Sequence, residues 1–108
     1  MKRFAEAREV FSGVRALAPS SELPEIALGT VSFQEGNFDV AIRQYERALE
    51  KNPKSAYAYA HIGEAQLFKM RKDLAAESLT KAFLLDRRGP AGLLARSLME
   101  FSECVRFA

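Results

Sequence analysis

The chain has 108 residues, of which 48% are apolar and 28% charged, the balance of a single soluble globular domain. Sixteen basic and fourteen acidic residues leave a formal charge of +2, and the basic residues are dispersed. This charge is too small to indicate a nucleic-acid or membrane-surface site. A signal peptide needs an apolar segment near the N-terminus, and charged residues interrupt that region of this chain. No uncharged run reaches the roughly 18 residues that a membrane span requires. We therefore expect a soluble, cytoplasmic protein.

The spacing of apolar residues predicts an all-α chain of six helices. In residues 36–53, apolar side chains recur every three or four positions, so that one stripe lies on one helix face. Ser21 and Ser55 are the expected N-caps of the second and fourth helices. Pro53 ends the third helix, and Pro90 fits the first turn of the last one. The six helices are expected at residues 3–17, 22–35, 38–51, 56–69, 72–85 and 90–106.

The turn before the fifth helix differs from its counterpart before the third. Gly36 suits a left-handed turn, but Met70 stands at the corresponding later position. A left-handed conformation costs a residue with a side chain about 1 kcal/mol. We therefore expect this turn to be shifted or of another type, with Asp73 as the cap of the fifth helix.

The sequence repeats itself at a spacing of 34 residues, and the aligned positions share their size. The alignment pairs Ala7 with Ala41 and Ala75, Phe11 with Tyr45 and Leu79, and Leu28-Gly29 with Ile62-Gly63. Such a period is typical of stacked helix pairs, in which glycine and alanine allow close approach and a large residue fills the space between.

Residues 22–55 and 56–89 each resemble the tetratricopeptide repeat (TPR). The first copy matches the family pattern at Leu28-Gly29, Ala41, Tyr45, Ala48 and Pro53, and the second at Tyr59, Ile62-Gly63, Ala75, Leu79 and Ala82. The sequence departs from the pattern at Glu25, Ser32, Gln66 and Arg87. The resemblance implies a right-handed superhelical stack of antiparallel helix pairs. It divides one domain, residues 1–108, into a half repeat (1–21), the two repeats and a terminal helix (90–108).

The resemblance also implies a concave groove lined by the first helix of each pair. The side chains that it places in this partner-binding groove are Leu23, Ile26, Thr30, Phe33, Tyr57, Ala60, Glu64, Leu67, Phe68, Leu94, Leu98 and Phe101. So apolar a surface suggests a protein partner. The alternative is that these side chains are buried between helices. For Leu98 and Phe101 both interpretations stay open, because the last helix could fold over the groove.

Known TPR clamps for a C-terminal carboxylate use Lys, Asn and Arg on this wall. Here the inward positions hold Ile26, Thr30, Ala60 and Glu64, so the resemblance implies no such clamp. An apolar helix or an extended apolar segment fits better. The first helix has no helix before it, so Val10 and Leu17 lack a neighbour. They predict a homodimer or a co-chaperone at that helix.

A further resemblance is to small bacterial TPR chaperones that hold type III secretion subunits, needle or translocator, before export. FAEAREVF at residues 4–11 and DLAAESLTKAFLL at residues 73–85 are similar to the translocator type. This implies a chaperone for an apolar client segment. A generic TPR scaffold or assembly factor within a larger complex is the alternative.

The residues do not indicate catalysis. His61 is the only histidine and Cys104 the only cysteine, which excludes an intramolecular disulfide. No carboxylate pair accompanies His61 at ligand spacing. We therefore expect no enzyme, no metal and no cofactor, and a His61 ring that is either packed or exposed.

Overall fold

The computed structural model describes residues 3–104, which form six α-helices and no strand. The helices are α1 (Phe4–Leu17), α2 (Leu23–Gln34), α3 (Phe38–Lys51), α4 (Ala56–Phe68), α5 (Lys72–Leu85) and α6 (Pro90–Cys104). The predicted all-α fold is confirmed, and the predicted helix ends are confirmed to about one residue. The expected end of the last helix at residue 106 lies outside the described residues, as does the Cys104 side chain.

Glycines allow the two helices of each central pair to approach each other closely. A Cβ atom added at Gly29 of α2 would lie 2.5 Å from a ring carbon of Tyr45 in α3. One added at Gly63 of α4 would lie 2.5 Å from a methyl carbon of Leu79 in α5. The absence of a side chain therefore lets each first helix lie directly against its second helix.

The core consists of small residues around these two large ones. Tyr45 and Leu79 are each 1% exposed. The alanines that surround them in α3, α4, α5 and α6 are fully buried: Ala41, Ala48, Ala58, Ala60, Ala65, Ala75, Ala82, Ala91 and Ala95. Helix α6 packs on both α4 and α5, as the first helix of a following pair would. One continuous helical stack results.

Hydrogen bonds explain two departures from the TPR pattern. In the first pair, the Ser32 hydroxyl donates to Oε1 of Gln44 at 2.8 Å. In the second pair, the Ser78 hydroxyl donates to Oε1 of Gln66 at 2.9 Å. The two contacts occupy the same repeat positions with the residue types exchanged. A polar bond between the paired helices thus takes the place of the family's aromatic side chain.

Glu25, at the family's first large position, is a buried carboxylate with only 3% of its surface exposed. Its Oε1 atom accepts a hydrogen bond from Lys51 Nζ at 3.0 Å and lies 3.8 Å from Arg15 Nη1. Its Oε2 atom has no hydrogen-bond partner. The charge cluster joins α1, α2 and α3. Removing one partner of such a cluster is costly, because the remaining charge stays buried.

The expectation of a different turn at Met70 was wrong. Met70 adopts a φ of 62°, close to the left-handed region that Gly36 occupies at 85°. The backbone N–H groups of residues 70 and 71 bond to the carbonyl groups of residues 67 and 66, as those of 36 and 37 do to 33 and 32. This pair of bonds is the Schellman motif that ends many helices. The bonds, together with the packing of the helices on either side, hold Met70 in place despite its steric cost.

The capping predictions had mixed outcomes. Ser55 caps α4, since its side chain accepts a hydrogen bond from the Ala58 N–H group at 3.3 Å. Ser21 lies one residue before the cap position of α2, which Glu22 occupies. Asp73 is not the cap of α5, because that helix already begins at Lys72. Pro90 is the first residue of α6, as expected.

Helix α1 contacts only α2 among the described helices and has no buried residue. Its outer face exposes Val10, Val14 and Leu17, which share one helix face by their spacing. On α6, Arg96 and Glu100 form an exposed ion pair at 3.0 Å, and Leu93 is also exposed.

Candidate functional site

The first helices of successive units form a groove. Helix α4 contacts α2 on one side and α6 on the other, whereas α2 and α6 do not touch each other in the described chain. Helix α6 therefore does not fold over the groove. Phe101 near its end is 61% exposed, which decides the question that the sequence left open for this residue.

The predicted groove residues fall into three classes of exposure. Four large side chains are exposed, with exposed fractions of 64% for Leu23, 42% for Tyr57, 60% for Phe68 and 61% for Phe101. Half-buried side chains are Ile26, Thr30, Phe33, Glu64, Leu67, Leu94 and Leu98. Ala60 alone among the twelve is fully buried.

The assignment of Ala60 to the groove surface was wrong. Ala60 belongs to the core cluster that includes Ala95 of α6, and Leu94 packs against that cluster. Two small side chains let α4 and α6 approach closely at this level, which leaves no room for a partner. The groove surface is thus interrupted in the middle and continues toward the C-terminal ends of the helices.

An apolar pocket lies between α4 and α6 near those ends. It has a volume of about 90 Å³ and is lined by Glu64, Leu67, Phe68, Leu98 and Phe101. All five lining residues were among the predicted groove residues. Small-molecule sites are several times larger, so the pocket suits one inserted apolar side chain of a partner.

Three phenylalanines support the edge of this pocket. The ring centroid of Phe33 lies 5.2 Å from that of Phe38 and 5.1 Å from that of Phe68, both in edge-to-face geometry. Phe38 and Phe68 stack at 5.5 Å. Such pairs hold ring orientations firmly, so Phe68 is fixed while it remains mostly exposed. Sequence reasoning missed Phe38 here, because its place at the start of a second helix indicates packing only.

Polar side chains lie beside the pocket, beneath the middle of the groove. The Thr30 hydroxyl donates to the Ile26 carbonyl oxygen at 3.0 Å, so the Tyr45 hydroxyl donates to Thr30 Oγ1 at 3.1 Å. Burial raises the pKa of Tyr45 to about 12, and the nearby charge of Glu64 adds to this shift. The Tyr45 hydroxyl therefore stays protonated at neutral pH.

His61 is a packed ring, one of the two expected alternatives. It stacks on Tyr45 with 5.3 Å between ring centroids and on Tyr57 with 6.3 Å. Its Nδ1 atom lies 3.5 Å from Oε1 of Glu64. Across the described residues, no group of three or more His, Cys, Asp or Glu side chains is arranged to hold a metal ion. None of the described helices is long and apolar enough to cross a membrane.

Paired antiparallel helices, glycine contacts at the repeat spacing and an open groove define a TPR-type helical repeat. A family model described as "TPR repeat" matches residues 29–67, so the resemblance to this family is confirmed over that part of the chain. This stretch includes α3, the second half of α2 and nearly all of α4.

Solved structures with the same fold cover 94% of this chain. One is the Yersinia enterocolitica type III secretion translocator chaperone SycD in an alternative dimer, with a TM-score of 0.82, 23% identity and 80% of that chain covered. SycD in complex with a peptide of the translocator YopD has a TM-score of 0.80, 22% identity and 80% coverage. PcrH in complex with the chaperone binding region of PopD has a TM-score of 0.79 and 17% identity, with 79% of that chain covered. At these identities the likeness establishes the fold.

Proposed function

We propose that this protein is a type III secretion chaperone that holds an apolar segment of a translocator subunit in the groove between α2, α4 and α6. The observation that carries the proposal is the open pocket between α4 and α6, flanked by Phe68 and Phe101 with more than half of each side chain exposed. Two structures of the same fold, SycD and PcrH, hold translocator segments, from YopD and PopD. This favours a translocator over a needle subunit as the client.

The chemistry of the groove specifies an apolar client segment. Each large apolar side chain that a partner covers contributes roughly 1.5–3 kcal/mol before ordering costs. The wall lacks the Lys, Asn and Arg of a carboxylate clamp, since Ile26, Thr30 and Glu64 stand at those positions. A helical or extended apolar stretch fits this surface, and an acidic C-terminal tail does not.

The proposed role is binding and not catalysis. The fold is one used for protein binding, and His61, the histidine that sequence analysis considered, is packed between two tyrosine rings. A chaperone that holds a subunit before export acts in the cytoplasm, which is where we place this protein. We propose that residues 1–108 form one domain. Binding of this kind needs no cofactor.

Charge substitutions at the rim of the pocket test the proposal. Phe68→Glu and Phe101→Glu each place a charge on an exposed groove side chain, and Leu84→Glu does the same on α5, outside the groove, at 55% exposure. The probes are labelled peptides of the YopD and PopD chaperone-binding segments and the translocator subunit from the same source organism. Binding is measured by fluorescence anisotropy, and circular dichroism checks that each variant is folded.

We expect at least one probe to bind the native chain. The two groove variants should bind it about tenfold more weakly or worse, since roughly 1.4 kcal/mol of apolar contact is lost. The Leu84→Glu control should bind within about twofold of the native chain, because an exposed side chain outside the site has little effect. Equal losses in all three variants, or a native chain that binds none of the probes, would contradict the proposal.

We also propose that α1 pairs with a second copy of this chain. Its outer face exposes Val10, Val14 and Leu17, with exposed fractions of 61%, 44% and 88%. A Cβ added at Gly13 on the same face meets no atom within 4 Å, so another helix has room to approach. One SycD structure of the same fold is described as an alternative dimer.

Sedimentation velocity tests this pairing. The native chain should show a concentration-dependent dimer, and the double variant Val10→Glu with Leu17→Glu should stay monomeric while keeping its helical content. Both residues are exposed, so the fold should tolerate the change. A native chain that remains a monomer at high concentration would refute the pairing.

A further inference from the structure

Glu64 is the one charged side chain among the five that line the pocket between α4 and α6. The other four, Leu67, Phe68, Leu98 and Phe101, are apolar. Glu64 lies one helical turn before Phe68 on the same face of α4, and both line the pocket. About a quarter of its side chain is exposed, so a bound segment would cover it.

Within residues 3–104, no lysine or arginine nitrogen lies within 4 Å of the Glu64 carboxylate. Two other poorly exposed carboxylates in this fold have one: Glu25 pairs with Lys51, and Glu35 with Arg8. Within the described residues, the ionisable group that lies within 4 Å of the Glu64 carboxylate is His61 Nδ1, at 3.5 Å. An imidazole is a weaker partner than a lysine or arginine side chain, because it is positively charged only when it is protonated.

The Thr30 side chain in the same groove supplies no free hydrogen-bond donor, because its hydroxyl donates to the Ile26 carbonyl oxygen at 3.0 Å. The Tyr45 side chain is 1% exposed, so its hydroxyl does not reach a partner. The carboxylate of Glu64 is therefore the polar group of the pocket lining that a bound segment would meet.

Covering this carboxylate with a purely apolar segment carries a cost. A desolvated carboxylate without a cationic partner is destabilising, and a lysine or arginine on the incoming segment removes that penalty. An aspartate or glutamate at the same place would be repelled as well as desolvated. The site thus discriminates between segments by repulsion as well as by attraction.

We propose that the groove selects apolar segments in which a lysine or arginine flanks the side chain that enters the pocket, with Glu64 as the residue that binds the cation. This inference rests on the proposed function, because it concerns the chemistry of the same client. It adds a requirement that apolar contact alone does not impose.

A comparison of two carboxylate-to-amide variants tests the inference. Native protein, Glu64→Gln and Glu46→Gln are each used to select peptides from a phage library of short random sequences. Glu46 is an exposed glutamate of α3, so its replacement removes the same charge at a position outside the groove. The best native-selected peptide is then synthesised with its basic residue kept or replaced by glutamine, and its affinity is measured at low and high salt.

We expect the native protein and Glu46→Gln to enrich peptides with Lys or Arg beside a large apolar residue, and Glu64→Gln to lose that enrichment. The basic peptide should bind the native protein roughly fivefold more tightly than its glutamine form, and salt should reduce this difference. If all three proteins select peptides with the same charge, the inference is overturned. If apolar peptides without basic residues bind the native protein, and Phe101→Glu abolishes that binding, the inference fails while the proposed function stands. Selection of no peptide by any of the proteins contradicts both.

Discussion

Phe11, Tyr45 and Leu79 occupy the same position of three successive units, yet they are buried to different depths. Tyr45 and Leu79 are 1% exposed, whereas Phe11 in α1 is only half-buried. The small residue one turn earlier behaves in the same way, since Ala41 and Ala75 are fully buried and Ala7 is not. The same residue pattern therefore gives a core in the middle of the stack and a partly covered face at its beginning.

The difference comes from the number of neighbouring helices. Helix α3 contacts α2 and α4, and α5 contacts α4 and α6, whereas α1 contacts α2 alone within residues 3–104. In a helical repeat each unit is stabilised by its own pair and by its nearest neighbours, so a helix with one neighbour gains less. Helix α1 is accordingly held in part by charge, through Arg8 with Glu35 and Arg15 with Glu25.

The largest predicted effect is a contrast between two leucines. Leu79→Ala should lower the free energy of unfolding by about 3 kcal/mol, because it removes a large buried side chain and leaves a cavity. At protein concentrations where the chain is monomeric, Leu17→Ala in α1 should change it by less than about 0.5 kcal/mol, since Leu17 is 88% exposed. Urea denaturation of both variants measures the contrast. Similar losses would mean that α1 is as well packed as the middle of the stack.

Replacing a glycine by alanine should change the free energy of unfolding in opposite directions in the same two regions. Gly29→Ala should destabilise by roughly 1–3 kcal/mol, because its new methyl group would overlap the fixed ring of Tyr45. In the monomer, at low protein concentration, Gly13→Ala should stabilise by about 0.5–1 kcal/mol, since the position is open and alanine favours a helix. Thermal unfolding of the two variants provides the measurement. A destabilising Gly13→Ala would show that something already occupies that face of α1.

The two left-handed turns give a smaller effect within the middle of the stack. Met70→Gly should raise the free energy of unfolding by up to about 1 kcal/mol, because glycine adopts a positive φ without steric strain. Gly36→Ala is the reciprocal control and should lower it by a similar amount. If Met70→Gly is destabilising instead, the methionine side chain makes contacts that outweigh the strain of its backbone.

The smallest predicted effect depends on pH. The hydrogen bond from Lys69, at 2.7 Å, lowers the pKa of Asp39 from its ordinary value of 3.8. A lowered folded-state pKa means that the pair stabilises the fold above pH 3.8, and that this contribution is lost as the pH falls through the folded-state value. Asp39→Asn should therefore destabilise slightly at neutral pH and lose that effect in acid.

Urea denaturation across this pH range, with Lys69→Met as a second background, checks the assignment. In that background the pH-dependent effect of Asp39→Asn should be clearly smaller, and a remainder is expected because Arg71 and Arg43 also lower this pKa. An effect of undiminished size without Lys69 would contradict the role given to this pair.

The helices and their pairing could be predicted from the sequence because their signals are local or periodic. Apolar spacing, Pro53 and Pro90 set the helix limits, and the repeated glycines indicated which helices lie close together. The exchanged Ser32–Gln44 and Gln66–Ser78 bonds were missed, since neither residue of a pair signals the other. The Glu25 cluster was missed for the same reason, because it joins residues from three helices.

The candidate site was predictable in outline only. The family offsets identified all five residues that line the pocket. They also included Ala60, whose burial depends on how closely α4 and α6 approach, and they omitted Phe38, which supports the pocket from a second helix. Offsets along one helix state which way a side chain points, and the distance to the next helix decides whether it is exposed.

Site-directed photo-crosslinking tests the central claim most directly. A photoreactive phenylalanine analogue is placed at Phe101, beside the pocket, or at Leu84 on α5, where the side chain is similarly exposed. Each protein is irradiated with a bound translocator segment, and the products are mapped by mass spectrometry. A groove that holds the client predicts a strong crosslink at position 101 and little at position 84. A crosslink mainly at position 84, or equal yields at both positions, would contradict it.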